Sequence, residues 1–204
     1  MKHDRTNARI MMREFARENG IALYENGEWR MPPDRCRETW QPRTKSSSAQ
    51  TATHAHTAHL VAFATGMGST DMAAIMAYGN AWLKVPQSYR IEIAGNLPEH
   101  VHSKDAFLYL CGKITADGAT YMSMEFLGNT VNEMSVESRL VMCNMAIEAG
   151  GKCGHSAADK KVREFLARYG RSDEYPSLQP DDGADYASEI MIAADRCSAP
   201  GLTT

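Results

Sequence analysis

The chain has 204 residues, 43% of them hydrophobic and 23% charged, with a formal net charge of −3. That length suffices for one well-buried core, and the composition excludes a disordered or fibrous protein. The slightly acidic balance offers no footprint for nucleic acid or an anionic membrane, and no apolar run is long enough to cross a bilayer, so the expected compartment is the cytoplasm.

Residues 6–19 place Ile10, Met11, Phe15 and Ala16 at helical spacing with Arg and Glu opposite, and Gly20 follows as a stop signal. Ile21 to Tyr24 reads as a short strand, which makes 1–27 a partial α/β segment. From Glu28 onward the periodicity vanishes among Pro32, Pro33, Pro42 and Ser46 to Ser48, and residues 28–60 are expected to be irregular and disordered. This segment contains His54, His56 and His59, whose imidazoles could take zinc or copper. Structural zinc normally has four fixed ligands, so adventitious binding is the plainer reading.

Order returns with the apolar run Leu60 to Ala64 and a turn at Gly66, Met67 and Gly68, after which Ser69 or Thr70 should cap a helix from Asp71 to about Leu83, stopped by Pro86. A Gly-rich turn opening a helix can hold phosphate, but no Lys follows, so close packing of turn on helix is preferred. Tyr89 to Gly95 alternates as a half-buried strand. Ser103 should cap a helix over 104–114 with Phe107, Leu108, Leu110 and Cys111 inward, and Tyr121 to Phe126 forms the next strand. Residues 157–169 form an amphipathic helix, 171–185 a loop, and 187–194 a last strand or helical turn; the tail at 196–204 has no packing signature. Alternating strands and helices over 61–195 predict an α/β fold, an α/β/α sandwich with ligands at strand and helix ends.

The helix that opens near Ser135 and runs toward Gly151 carries the candidate site. Val136, Leu140, Cys143 and Ile147 make one apolar stripe, Val141 and Met145 a second, and Asn144 and Glu148 fall between them. Four residues apart, those two side chains should share a face. A carboxylate held among apolar neighbours must be paired, protonated or bound to something, whereas a half-exposed Glu at a helix end needs no function. The five cysteines, Cys36, Cys111, Cys143, Cys153 and Cys197, have no regular spacing and no Cys-x-x-Cys, which fits reduced thiols and gives no self-contained metal motif.

Phe63 to Met76, Trp82 to Pro86, Leu97 to Val101, Asp117 to Ser123 and Cys143 to Gly150 together resemble the aconitase superfamily, nearest its 3-isopropylmalate dehydratase large-subunit and homoaconitase branch. The resemblance implies an incomplete fold of the aconitase type. It also implies a [4Fe-4S] cluster whose open iron acts as a Lewis acid in dehydrating and rehydrating a hydroxy di- or tricarboxylic acid. Asn144 and Glu148 match the family's Cys-Asn-Met-x-x-Glu helix, which implies catalytic roles, with the Glu bonded to the reacting water or hydroxyl. A small subunit with a swivelling domain is the implied partner. The family's Ser-Cys-Thr-Asn, Cys-Gly-x-Cys and Asp-Ser-His-Thr motifs are absent, so the cluster-ligating cysteines are missing from this chain. The third-base frame across Lys45 to His59 permits a string containing Asp-Ser-His-Thr, and the second-base frame across Glu28 to Cys36 permits another family-like string. Both point to a frame-disrupted and truncated fragment, with a further frame change after Asp195. A natural insert, and a non-catalytic remnant or interaction protein, are the competing readings.

Overall fold

The computed structural model describes residues 2–20, 47–49, 63–168 and 180–198. Contacts divide the chain into two units, Met1–Thr39 and Trp40–Thr204. In the first, helix α1 (Lys2–Glu18) begins earlier than its apolar pattern. The stripe expected to face inward does so only at Ala16; Ile10, Met11 and Phe15 are exposed. Asn19 closes the helix by donating from its backbone N–H and its side-chain Nδ2 to Phe15 O, and Gly20 follows at φ +64°. The strand expected at Ile21 to Tyr24 and the histidines at 54, 56 and 59 lie outside the described residues.

In the second unit, β1 (Ser47–Ala49) pairs in parallel with β2 (Ala64–Gly66). Three residues of the stretch expected to be irregular are therefore a strand, made by backbone pairing that shows no side-chain period. Helix α2 (Ser69–Tyr78) follows. It starts at Gly68 without a cap from Ser69 or Thr70, and it stops at Gly79, whose φ of +70° lets its N–H reach Ile75 O, well before Pro86. None of its residues is buried, so the turn at Gly66 to Gly68 is not packed under a core helix as expected.

A four-stranded parallel sheet has the order β5-β4-β3-β6, from β3 (Ser88–Ala94), β4 (Ser123–Leu127), β5 (Cys153–Ser156) and β6 (Ser188–Ala193). Between its strands run α3 (Ser103–Ile114), α4 (Asn129–Glu133), α5 (Val136–Met145) and α6 (Lys160–Ala167). The fold is the α/β class expected. Strand residues alternate faces, and the apolar set Tyr89, Ile91, Ile93, Met124, Phe126 and Ile192 shares one core with Phe107 and Leu110 of α3 and Met142 and Cys143 of α5. Phe107 meets Phe126 edge-on at 6.1 Å between ring centroids. On the opposite face Arg90 of β3 donates to Glu92 and to Glu189 of β6 at 3.0 Å each, and Met191 of β6 is exposed.

Two details differ from the sequence reading of these elements. Leu108 is exposed, and α3 is capped not by Ser103 but by a His102–Asp105 box, in which the Asp105 carboxylate accepts from His102 N–H at 2.9 Å. Cys197, placed in a tail without packing, is buried in the main core.

Candidate functional site

Helix α5 is set by Ser135, whose hydroxyl accepts from Ser138 N–H at 3.2 Å, and its buried face is Val136, Arg139, Met142 and Cys143. The α-helix ends at Met145, and residues Ala146–Ala149 form a tighter 3-10 turn. Gly150 at φ +81° and a bond from Gly151 N–H to Ala146 O at 3.0 Å close it and send the chain into β5. Gly154 makes this approach possible, because a Cβ there would lie 2.9 Å from Cys143 Cα and from Ala146 Cβ.

The change of helix type corrects the predicted geometry. A 3-10 turn advances about 120° per residue against about 100° in an α-helix, so Glu148 is rotated away from the face of Asn144. Glu148 is exposed, not enclosed by apolar neighbours, and Val141, counted in an inner stripe, is exposed too. Asn144 is half-buried, and its Oδ1 is shut off from solvent with no hydrogen-bond partner. A buried amide oxygen left unpaired is costly, which is the mark of an acceptor waiting for a donor.

A buried cation on the same helix was not anticipated. Arg139 is 1% exposed and donates to Asn132 O, Ala157 O and the Asp159 carboxylate, while its Nε has no partner. This ties α4, α5 and the start of α6 together, since Asp159 also caps α6 by accepting from Val162 N–H at 3.2 Å. Burial pushes the Asp159 carboxyl up, but the bonds from Arg139 and Val162 outweigh it and hold the group below its ordinary value. The signal was in the spacing: Arg139 sits three after Val136 and four before Cys143, on the stripe that turned out to be buried.

A second polar group lies between β4 and β5. Ser123 Oγ is 3.2 Å from Cys153 Sγ and 3.3 Å from His155 Nδ1, and Glu125 accepts from the Tyr186 hydroxyl at 2.8 Å. Burial lowers the His155 pKa against the pull of Glu125. Burial likewise raises the thiols of Cys111, Cys143, Cys153 and Cys197, most of all Cys143, and so disfavours their thiolate forms.

With this geometry in view, the comparisons are specific. The pattern of the Aconitase family (aconitate hydratase) matches residues 46–198. The chain belongs to that family. Its relatives include the 3-isopropylmalate dehydratase large subunit of Elusimicrobium minutum, 42% identical over 189 residues, which are 93% of this chain and 45% of that protein. The 3-isopropylmalate dehydratase large subunit 1 of Methanopyrus kandleri is 42% identical over 186 residues, 89% of this chain and 44% of the relative. The Thermotoga maritima large subunit 1 is 38% identical over 190 residues, 93% and 45%. The chain thus spans less than half the length of the curated relatives it matches. The aconitase-family match starts at residue 46, earlier than the stretch from Phe63 on which the resemblance was read.

The described residues do not fit the [4Fe-4S] ligand set that the resemblance implies. Such a cluster needs several thiolates gathered at one place. Among the described residues no three Cys, His, Asp or Glu converge, and the four cysteines there are free. Among the described residues no helix is long and apolar enough to cross a membrane.

Proposed function

We propose that this chain supplies one wall of the active site of a hydro-lyase of the 3-isopropylmalate dehydratase large-subunit type, serving leucine biosynthesis. Its reaction is the reversible dehydration and rehydration of a hydroxy di- or tricarboxylic acid. The observation that carries the reading is the buried, unpartnered Oδ1 of Asn144, at the Asn of the family's Cys-Asn-Met-x-x-Glu motif. An amide oxygen in that state accepts a hydrogen bond from a donor that enters the site, and the hydroxyl of a hydroxy acid is such a donor. Glu148, exposed on the turn that follows, is the motif's acid, and we assign it the exchange of a proton with substrate or water. The remaining walls, the cluster with its cysteine ligands, and the contact with a small subunit belong to polypeptide beyond the described residues. Homoaconitase and aconitase-type hydratase are the same chemistry on other acids. A non-catalytic remnant is the reading of another class.

Anaerobic iron and sulfide reconstitution tests the assignment. The described residues are expected to take up no cluster, because no three of their Cys, His, Asp or Glu side chains converge. Brown absorbance approaching one cluster per chain, lost on substitution of Cys143, Cys153 or Cys197, would overturn this account of the cysteines.

A further inference from the structure

Helix α4 is only five residues long, so its last carbonyls must find partners on other elements. Met134 N–H closes it on Thr130 O and Val131 O at 3.2 Å each. The next three carbonyls in the chain, those of Asn132, Glu133 and Met134, all go to one side chain. Lys161, the second residue of α6, donates from Nζ to Asn132 O at 2.8 Å, to Glu133 O at 2.7 Å and to Met134 O at 3.3 Å. An ammonium has three N–H bonds and no acceptor, so its donors and these oxygens match one to one. Arg139 Nη2 reaches Asn132 O as well, at 2.8 Å, on that oxygen's second lone pair. Among the described residues no carboxylate pairs with Lys161, in contrast to its neighbour Lys160, whose Nζ lies 3.6 Å from Glu164.

Neutral carbonyl oxygens gathered around a cation can replace its hydration shell. The distances here exceed the roughly 2.0–2.6 Å at which magnesium and calcium bind oxygen, and no carboxylate adds charge, so the geometry suits a large monovalent ion and not a divalent one. We infer that the carbonyls of Asn132, Glu133 and Met134 form a monovalent-cation site of the ammonium and potassium class, with the Lys161 ammonium as its tethered occupant. Lys161 is exposed, so ions in solution can reach the carbonyls once its ammonium is gone. The site also fixes where α5 begins, since Ser135, the cap of that helix, follows Met134 directly. It is independent of the chemistry proposed above.

Lys161→Ala in the 204-residue chain removes the occupant and leaves the carbonyls in place. Thermal unfolding is followed in the chlorides of potassium, ammonium, lithium and tetramethylammonium at equal ionic strength, so that screening is constant. In tetramethylammonium, which has no N–H and is too large for the site, Lys161→Ala should melt about 4 °C below the parent, having lost its charge-assisted hydrogen bonds. Potassium or ammonium should restore about half of that loss or more, and lithium should not. The parent and Lys160→Ala should show no such difference between salts. A second readout uses the parent itself: in heteronuclear spectra of chain labelled at lysine nitrogen, Lys161 Nζ is assigned by its absence in Lys161→Arg. Its protons should exchange with solvent on the order of tenfold more slowly than those of Lys160. Lys161→Ala as stable as the parent in tetramethylammonium, equal midpoints of Lys161→Ala in all four salts, or a Lys161 ammonium that exchanges as fast as that of Lys160 would each overturn the site.

Discussion

At the residue scale, two side chains in α5 make opposite predictions. Asn144 Oδ1 is a buried acceptor without a donor, so it opposes folding instead of supporting it. Asn144→Ala should therefore leave stability unchanged or raise it, by up to about 1 kcal/mol in urea denaturation. A residue placed only for structure would lose stability. Arg139 and Asp159 show the reverse case. Asp159→Asn leaves a guanidinium that is 1% exposed without its anionic partner, and should cost about 3 kcal/mol, the low end for a buried pair because Asp159 is a third exposed. The pH dependence has a fixed sign. The Asp159 carboxyl is held below its ordinary value of 3.8, so its contribution is present above that pH and is lost as the pH falls through the lower folded value. Urea midpoints at pH 7 and pH 3 should differ more in the parent than in Asp159→Asn.

The element that matters most is the join of α5, the 3-10 turn and β5. In the sequence the apolar spacing runs on through Ile147, and nothing in that period announces a change of helix type. The cause is the backbone: Gly150 and Gly151 turn the chain back, and Gly154 brings β5 against Cys143 and Ala146. Gly154→Val should cost about 1–3 kcal/mol, since its side chain would press on backbone atoms of α5 that have no room to yield. Thermal unfolding of this variant beside Gly112→Ala, at a position with nothing within 4 Å, measures the difference. Other elements were legible for physical reasons. Tyr89 to Ala94 alternates because one face of β3 is core and the other polar, and Phe107 with Leu110 faces inward because α3 lies on one side of the sheet. The end of α2 was misplaced because Pro86 was read as the stop when Gly79, with its left-handed backbone, already was. Glu148 was read as enclosed because a helical period was extended over residues that leave the helix.

At the scale of the whole molecule, the chain joins a well-formed sheet core to surfaces that face solvent with apolar side chains, on α1 and on the segment after α2. Both observations accord with a family member that spans less than half the length of its relatives. The residue motif at Cys143 to Glu148 was legible because it is contiguous.

The central claim is that Asn144 belongs to a hydro-lyase site completed by other polypeptide. It is tested most directly by combining this chain, the part of a relative that it does not match and the relative's small subunit after anaerobic reconstitution, and following conversion of 3-isopropylmalate to the unsaturated acid by ultraviolet absorbance. The account predicts turnover that falls about 100-fold or more in Asn144→Ala, with the assembly intact. An assembled, cluster-bearing complex that gives no turnover, or turnover that Asn144→Ala leaves unchanged, would contradict it.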